Sequence, residues 1–119
     1  MGMLETFQVL SGHLYVDGAI RKSAGADGCD SIDPATEEVN GQVAFASGAE
    51  VDDAVAVAKR AQIEWYAMGG LARAELMHFA ATRLRDSVPK MAEAATREMG
   101  KPYKESANEA FWTAAAFDY

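Results

Sequence analysis

The sequence predicts an α+β segment, a β-hairpin and strand region followed by about four helices. Three observations carry this. Asp17-Gly18 lies between the short apolar runs Leu14-Tyr15-Val16 and Ala19-Ile20, a two-residue hairpin signal because both turn positions take positive φ. After residue 47 the apolar period changes to the 3.6 of helices. Glycine and proline then punctuate the helical stretch at 69–70, 89 and 100–102.

Residues 1–12, MGMLETFQVLSG, read as an N-terminal arm. The arm has no basic n-region and no long apolar core, so it is not a secretory signal. Gly2 and Thr6 fit the N-myristoylation pattern, but no polybasic stretch completes an anchor. Residues 13–46 form the hairpin and strand region. Within it, 23–30 (SAGADGCD) reads as a small, polar connection. Asp33-Pro34 turns the chain, and 41–46 (GQVAFA) reads as a strand.

Residues 47–119 are helical. Ser47 and Glu50 make a capping box, and Asp52 and Asp53 complement the helix dipole. Val51, Val55, Ala58, Gln62 and Trp65 share one face of the first helix, which Met68-Gly69-Gly70 ends. A second helix runs from about Leu71 to Asp86, burying Leu76, Phe79, Ala80 and Leu84. Ser87 and Pro89 mark a fresh start, since proline suits a first turn. The third helix buries Val88, Met91, Ala92, Ala95 and Met99. Gly100 caps it, Pro102 starts the fourth helix, and Lys101 between them suits a helix C-terminus by roughly 0.3–1 kcal/mol. Ala107, Phe111, Ala114 and Phe117 keep helical spacing up to Tyr119 with no stop signal, so the helix is expected to continue in the natural protein.

Composition excludes several functions. The net charge is −7, from 18 acidic and 11 basic residues. Phosphate binding needs a basic surface, so nucleic acid is not an expected partner. No apolar run reaches the roughly 18 residues of a membrane span. Cys29 is the only cysteine, which rules out an internal disulfide and fits a reducing cytoplasm.

Few residues carry chemistry. Cys29 has the acidic neighbours Asp27 and Asp30 and no histidine nearby, so it reads as an ordinary loop residue. His13 and His78 have no metal-ligand spacing. Asp17, Asp30 and Asp33 read as turn residues. Glu105 and Glu109 sit four apart on the last helix; solvation accounts for them, with a cation or a salt-bridge role as the alternatives. Trp65, Phe111 and Trp112 read as core or interface. No dinucleotide fingerprint or phosphate loop is present.

The order of features nonetheless resembles the N-terminal segment of the NAD(P)-dependent aldehyde dehydrogenase superfamily. It runs from LYVDG (14–18) through Asp33-Pro34-Ala35-Thr36 and the alanine- and valine-rich helix at 48–67. It continues with the Arg73-led helix and the Glu98 to Pro102 break. The resemblance covers about residues 13–119. It implies an α/β fold, the hairpin and about four helices forming the outer part of a Rossmann-like cofactor-binding domain, incomplete over 1–119, with the catalytic and oligomerisation domains absent. The parent enzyme would oxidise an aldehyde to a carboxylate with NAD or NADP through a cysteine thiohemiacetal. The family's catalytic cysteine, glutamate and asparagine correspond to positions after Tyr119, so no catalytic or cofactor-binding residue is assigned here, and Cys29 does not match the nucleophile. This segment alone would be inactive and bind neither cofactor. Some family members hold a structural monovalent cation. Its ligands here would be the carbonyls of Ser31 and Ile32 with Glu109, one position from the family's aspartate. The partners implied are the remainder of the chain, a small aldehyde and further copies in a dimer or tetramer. Two other readings compete: a small helical protein-interaction module, and a thiol enzyme using Cys29.

Overall fold

The structure, a computed structural model, describes residues 12–25 and 27–119. Apart from Gly12, the N-terminal arm lies outside the described residues, and so does the Gly2 and Thr6 pattern. The chain divides into two compact units, Met1–Ile32 with Glu38–Ala67, and Asp33–Glu37 with Met68–Tyr119.

In the first unit, β1 (His13–Val16) and β2 (Ala19–Lys22) pair antiparallel, with Tyr15 opposite Ile20 and Val16 opposite Ala19. The turn takes the predicted form: Asp17 has φ 56° and Gly18 φ 73°. A second ribbon joins β3 (Gly28–Ile32) to β4 (Val39–Ala44), with a bulge between Ser31 and Ile32. Residues 28–30 are therefore strand, not connection. Their composition gives no strand signal, because pairing with β4 decides their state. Gly28 permits the pairing, since a Cβ there would lie 2.6 Å from the Val43 carbonyl oxygen. The strand expected at 41–46 begins and ends two residues earlier. Among the described residues both ribbons are antiparallel and two-stranded.

Helix α1 (Gly48–Ala67) starts at the capping box. The Ser47 hydroxyl accepts from the Glu50 N–H at 3.3 Å, and the Ser47 N–H donates to Glu50 Oε2 at 2.8 Å. The same carboxylate also reaches the segment after β2. The Ala24 N–H donates to Oε1 at 2.7 Å and the Ser23 hydroxyl to Oε2 at 3.1 Å. These bonds pull the Glu50 carboxyl from its ordinary 4.5 down to about 2. The Ala24 N–H contributes most, then the Ser47 N–H and hydroxyl, with Ser23 last; desolvation opposes them. Arg21 adds an exposed pair to Asp53 at 2.8 Å. No residue of α1 is buried, although Val51, Val55 and Trp65 share the expected face.

The second unit is an antiparallel helical hairpin, α2 (Gly70–Met99) and α3 (Tyr103–Asp118). Where two helices were expected over 71–99, one continuous helix forms, with Pro89 inside it. Proline removes one intrahelical N–H bond and usually breaks a helix. Here the buried Ala81 and Ala92 lie on either side of Pro89, eleven residues and three turns apart. A break between them would rotate one out of the seam with α3. Pro89 itself is exposed. The Ser87 hydroxyl, expected to open a new helix, donates to the Arg83 carbonyl at 2.9 Å within α2.

The buried apolar residues among those described are all alanines: Ala81, Ala92, Ala110 and Ala114. On α3, Ser106, Ala110 and Ala114 recur every four residues as one stripe. The expected face of α3 is therefore offset. Ala114 is buried, Phe111 is half exposed and Trp112 more so. Phe79, Leu76 and Met99 are likewise exposed on α2. Small side chains bring the two backbones close, which excludes larger neighbours from the seam. At the far end, Asp118 accepts from His78 Nδ1 at 3.0 Å and pairs with Arg85.

These contacts can be tested by substitution. Ala110→Leu should lower unfolding free energy by about 1–3 kcal/mol, because the seam cannot expand locally. An unchanged urea midpoint would show the seam to be loose. Glu50 has a folded pKa below its unfolded one, so its stabilisation is complete above pH 4.5 and disappears as pH falls toward 2. Glu50→Gln should be less stable at neutral pH and lose stability less steeply across that window. Parallel acid-unfolding curves for the two proteins would contradict the clasp.

Candidate functional site

The densest polar structure in the second unit is the corner between α2 and α3. Gly100 ends α2 at φ 73°, ψ 10°, and its N–H donates to the Thr96 carbonyl at 2.8 Å. That left-handed conformation suits glycine. The neighbourhood demands it independently: a Cβ at Gly100 would lie 2.7 Å from Pro34 Cγ. Pro102 (φ −57°) then caps α3 through its carbonyl, which accepts from the N–H groups of Glu105 at 3.0 Å and Ser106 at 3.2 Å.

The Pro34 turn is locally determined. Asp33 is 7% exposed, and its Oδ1 accepts from the Ala35 N–H at 2.9 Å, the turn chemistry its sequence implies. Its carbonyl accepts from the Glu37 N–H at 2.8 Å, and Glu37 takes a left-handed φ of 62°. Arg97, in the last turn of α2, places Nε 3.6 Å from Asp33 Oδ2. Beside it, Thr96 Oγ1 lies 2.9 Å from the buried Ser106 Oγ. Asp33-Pro34 and Gly100-Lys101-Pro102 thus meet as one assembly.

The residues considered for a cation are placed as follows. Ser31 and Ile32 are consecutive on β3 in the first unit, opposite Gly41 and Val39. Glu109 is on α3 in the second unit, exposed, with its carboxylate paired to the Lys101 ammonium. Glu109 therefore takes the salt-bridge role. Among the described residues, no group of three or more histidine, cysteine, aspartate or glutamate side chains could hold a metal.

Cys29 is exposed on β3 opposite Val43, in a strand and not a loop. It borders a hollow lined also by Lys22, Ser23, Asp27, Asp30 and Gln42. Among the described residues no histidine lines that hollow, and the titratable groups beside the thiol are the carboxylates Asp27 and Asp30 and the amine of Lys22. His78 is committed to Asp118.

Sequence reasoning missed the reach of Glu50 to Ser23 and Ala24, the Arg97–Asp33 pair and the Lys101–Glu109 pair. Arg97 gave a signal, a basic residue in a last helical turn, and Lys101 and Glu109 were each visible singly but not as partners. The other pairs join segments eight or more residues apart that no local period connects.

A family model described as the aldehyde dehydrogenase family matches residues 20–119. A point mutant of betaine aldehyde dehydrogenase from Staphylococcus aureus, solved in complex with NAD+, is 27% identical. It superposes with a TM-score of 0.86 over 100% of this chain and 24% of its own. PnpE in complex with nicotinamide adenine dinucleotide is 30% identical, with a TM-score of 0.84 over 92% of this chain and 23% of its own. HpcC from Thermus thermophilus shares the fold at 21% identity, with a TM-score of 0.89 over 98% of this chain and 22% of its own. The chain spans about a quarter of the length of these structures.

Gly100→Val should destabilise the protein by at least about 1–2 kcal/mol from its φ alone. The Pro34 clash adds to this, so Pro34→Gly in the same chain should recover part of the loss and not all of it. An unchanged melting temperature for Gly100→Val would refute this account of the corner. Cys29 should alkylate with iodoacetamide at the rate of an unactivated exposed thiol. Rapid alkylation at neutral pH would revive the thiol-enzyme reading.

Proposed function

The chain belongs to the aldehyde dehydrogenase family, and from that premise we propose that it forms the N-terminal part of an NAD-dependent oxidoreductase converting an aldehyde to a carboxylate. The family match over residues 20–119 carries this reading. The choice of NAD is supported by the NAD complexes of similar structures, and NADP is the competing cofactor. In the parent, NAD would supply the hydride acceptor.

This chain's own contribution is structural. It would form the outer part of a Rossmann-like cofactor-binding domain, with the sheet supplied by later sequence. Its uncovered apolar surface supports that role. Ile63, Tyr66, Leu71 and Trp112 are between 68% and 84% exposed, and α1 buries nothing. Exposed apolar side chains in this number mark surfaces built to be covered. In this proposal the cover is the remainder of the polypeptide, and the whole enzyme is a cytoplasmic homo-oligomer acting on a small aldehyde. The corner at Gly100 would fix the direction of α3 relative to α2 within the scaffold. A protein-interaction module would use the same exposed residues, but it leaves the match over residues 20–119 unexplained.

The cation role of the Ser31 and Ile32 carbonyls with Glu109 rests on family resemblance alone. Carbonyl and carboxylate oxygens suit a hard monovalent cation. The Lys101 ammonium already neutralises that carboxylate, so a bound cation would have to displace it.

The reading is tested at two levels. The purified chain, mixed with NAD and betaine aldehyde or benzaldehyde, should produce no reduced nicotinamide, and a full-length polypeptide carrying this segment should produce it with at least one aldehyde. Turnover by the isolated chain would overturn the structural assignment. A full-length protein inactive across a broad aldehyde panel would overturn the activity.

A further inference from the structure

We draw no further inference here: the strongest candidate, the apolar hollow between β1 and α1 lined by Leu14, Val16, Val51, Ala54, Val55 and Ala58, is an unpartnered face of the first unit, and nothing in the structure shows what covers it.

Discussion

The second unit depends on the absence of one side chain. Gly100 lets α2 end, lets the backbone take a left-handed step and leaves room for Pro34, all at one Cα. Any Cβ would meet Pro34 at 2.7 Å. The consequences run outward from there. Because α2 ends at Met99 and α3 begins at Tyr103, Thr96 and Ser106 face each other and share a hydrogen bond. That bond satisfies the most buried polar side chain of the seam, which would otherwise be costly. Because Pro34 occupies the space, Asp33 is held near Arg97, and its carboxylate is divided between that cation and the turn's own Ala35 N–H.

The seam that follows is made of small residues. Alanine contributes little area on its own, so the stabilisation comes from many close backbone and Cβ contacts, not from large buried side chains. The same choice explains where the large residues are. A helix pair that approaches on Ala92, Ala110 and Ala114 has no room between its axes for Phe79, Phe111 or Trp112. Those side chains project away from the seam, and α1 presents its apolar face in the same uncovered way. The solved structures that the chain resembles are about four times its length, and under the proposed function their additional sequence would cover such a surface.

Local chemistry could be read from the sequence wherever one residue type solves one backbone problem. Asp17-Gly18, Ser47 with Glu50, Asp33-Pro34 and Gly100 with Pro102 are all of this kind, and each forms the structure its composition implies. Readings failed where long-range packing competes with local preference. Pro89 and Ser87 signalled a helix start, yet the seam on both sides of Pro89 keeps α2 continuous. Gly28-Cys29-Asp30 looked like a connection, yet β4 draws it into a ribbon. Apolar periodicity picks out Ala92 and Ala114, which are buried, but beside them it counts Leu76, Phe79, Met99 and Phe111, which are exposed, and it passes over Ala81, Ala110 and Ser106, which complete the seam. The same limit applied to the site: Glu109 was visible as an acidic residue, but its partner Lys101 lies across a corner that only folding creates.

This chain's own stability resides in the alanine seam and its glycine corner, while no residue of α1 is buried. Amide hydrogen exchange on the isolated chain, read by mass spectrometry at peptide resolution, tests it most directly, because exchange reports local stability. The account predicts the strongest protection in peptides spanning Ala92–Met99 and Ser106–Ala114, with α1 exchanging markedly faster. Protection of α1 equal to or above that of the seam would show that α1 is stabilised within this chain, and would contradict the account.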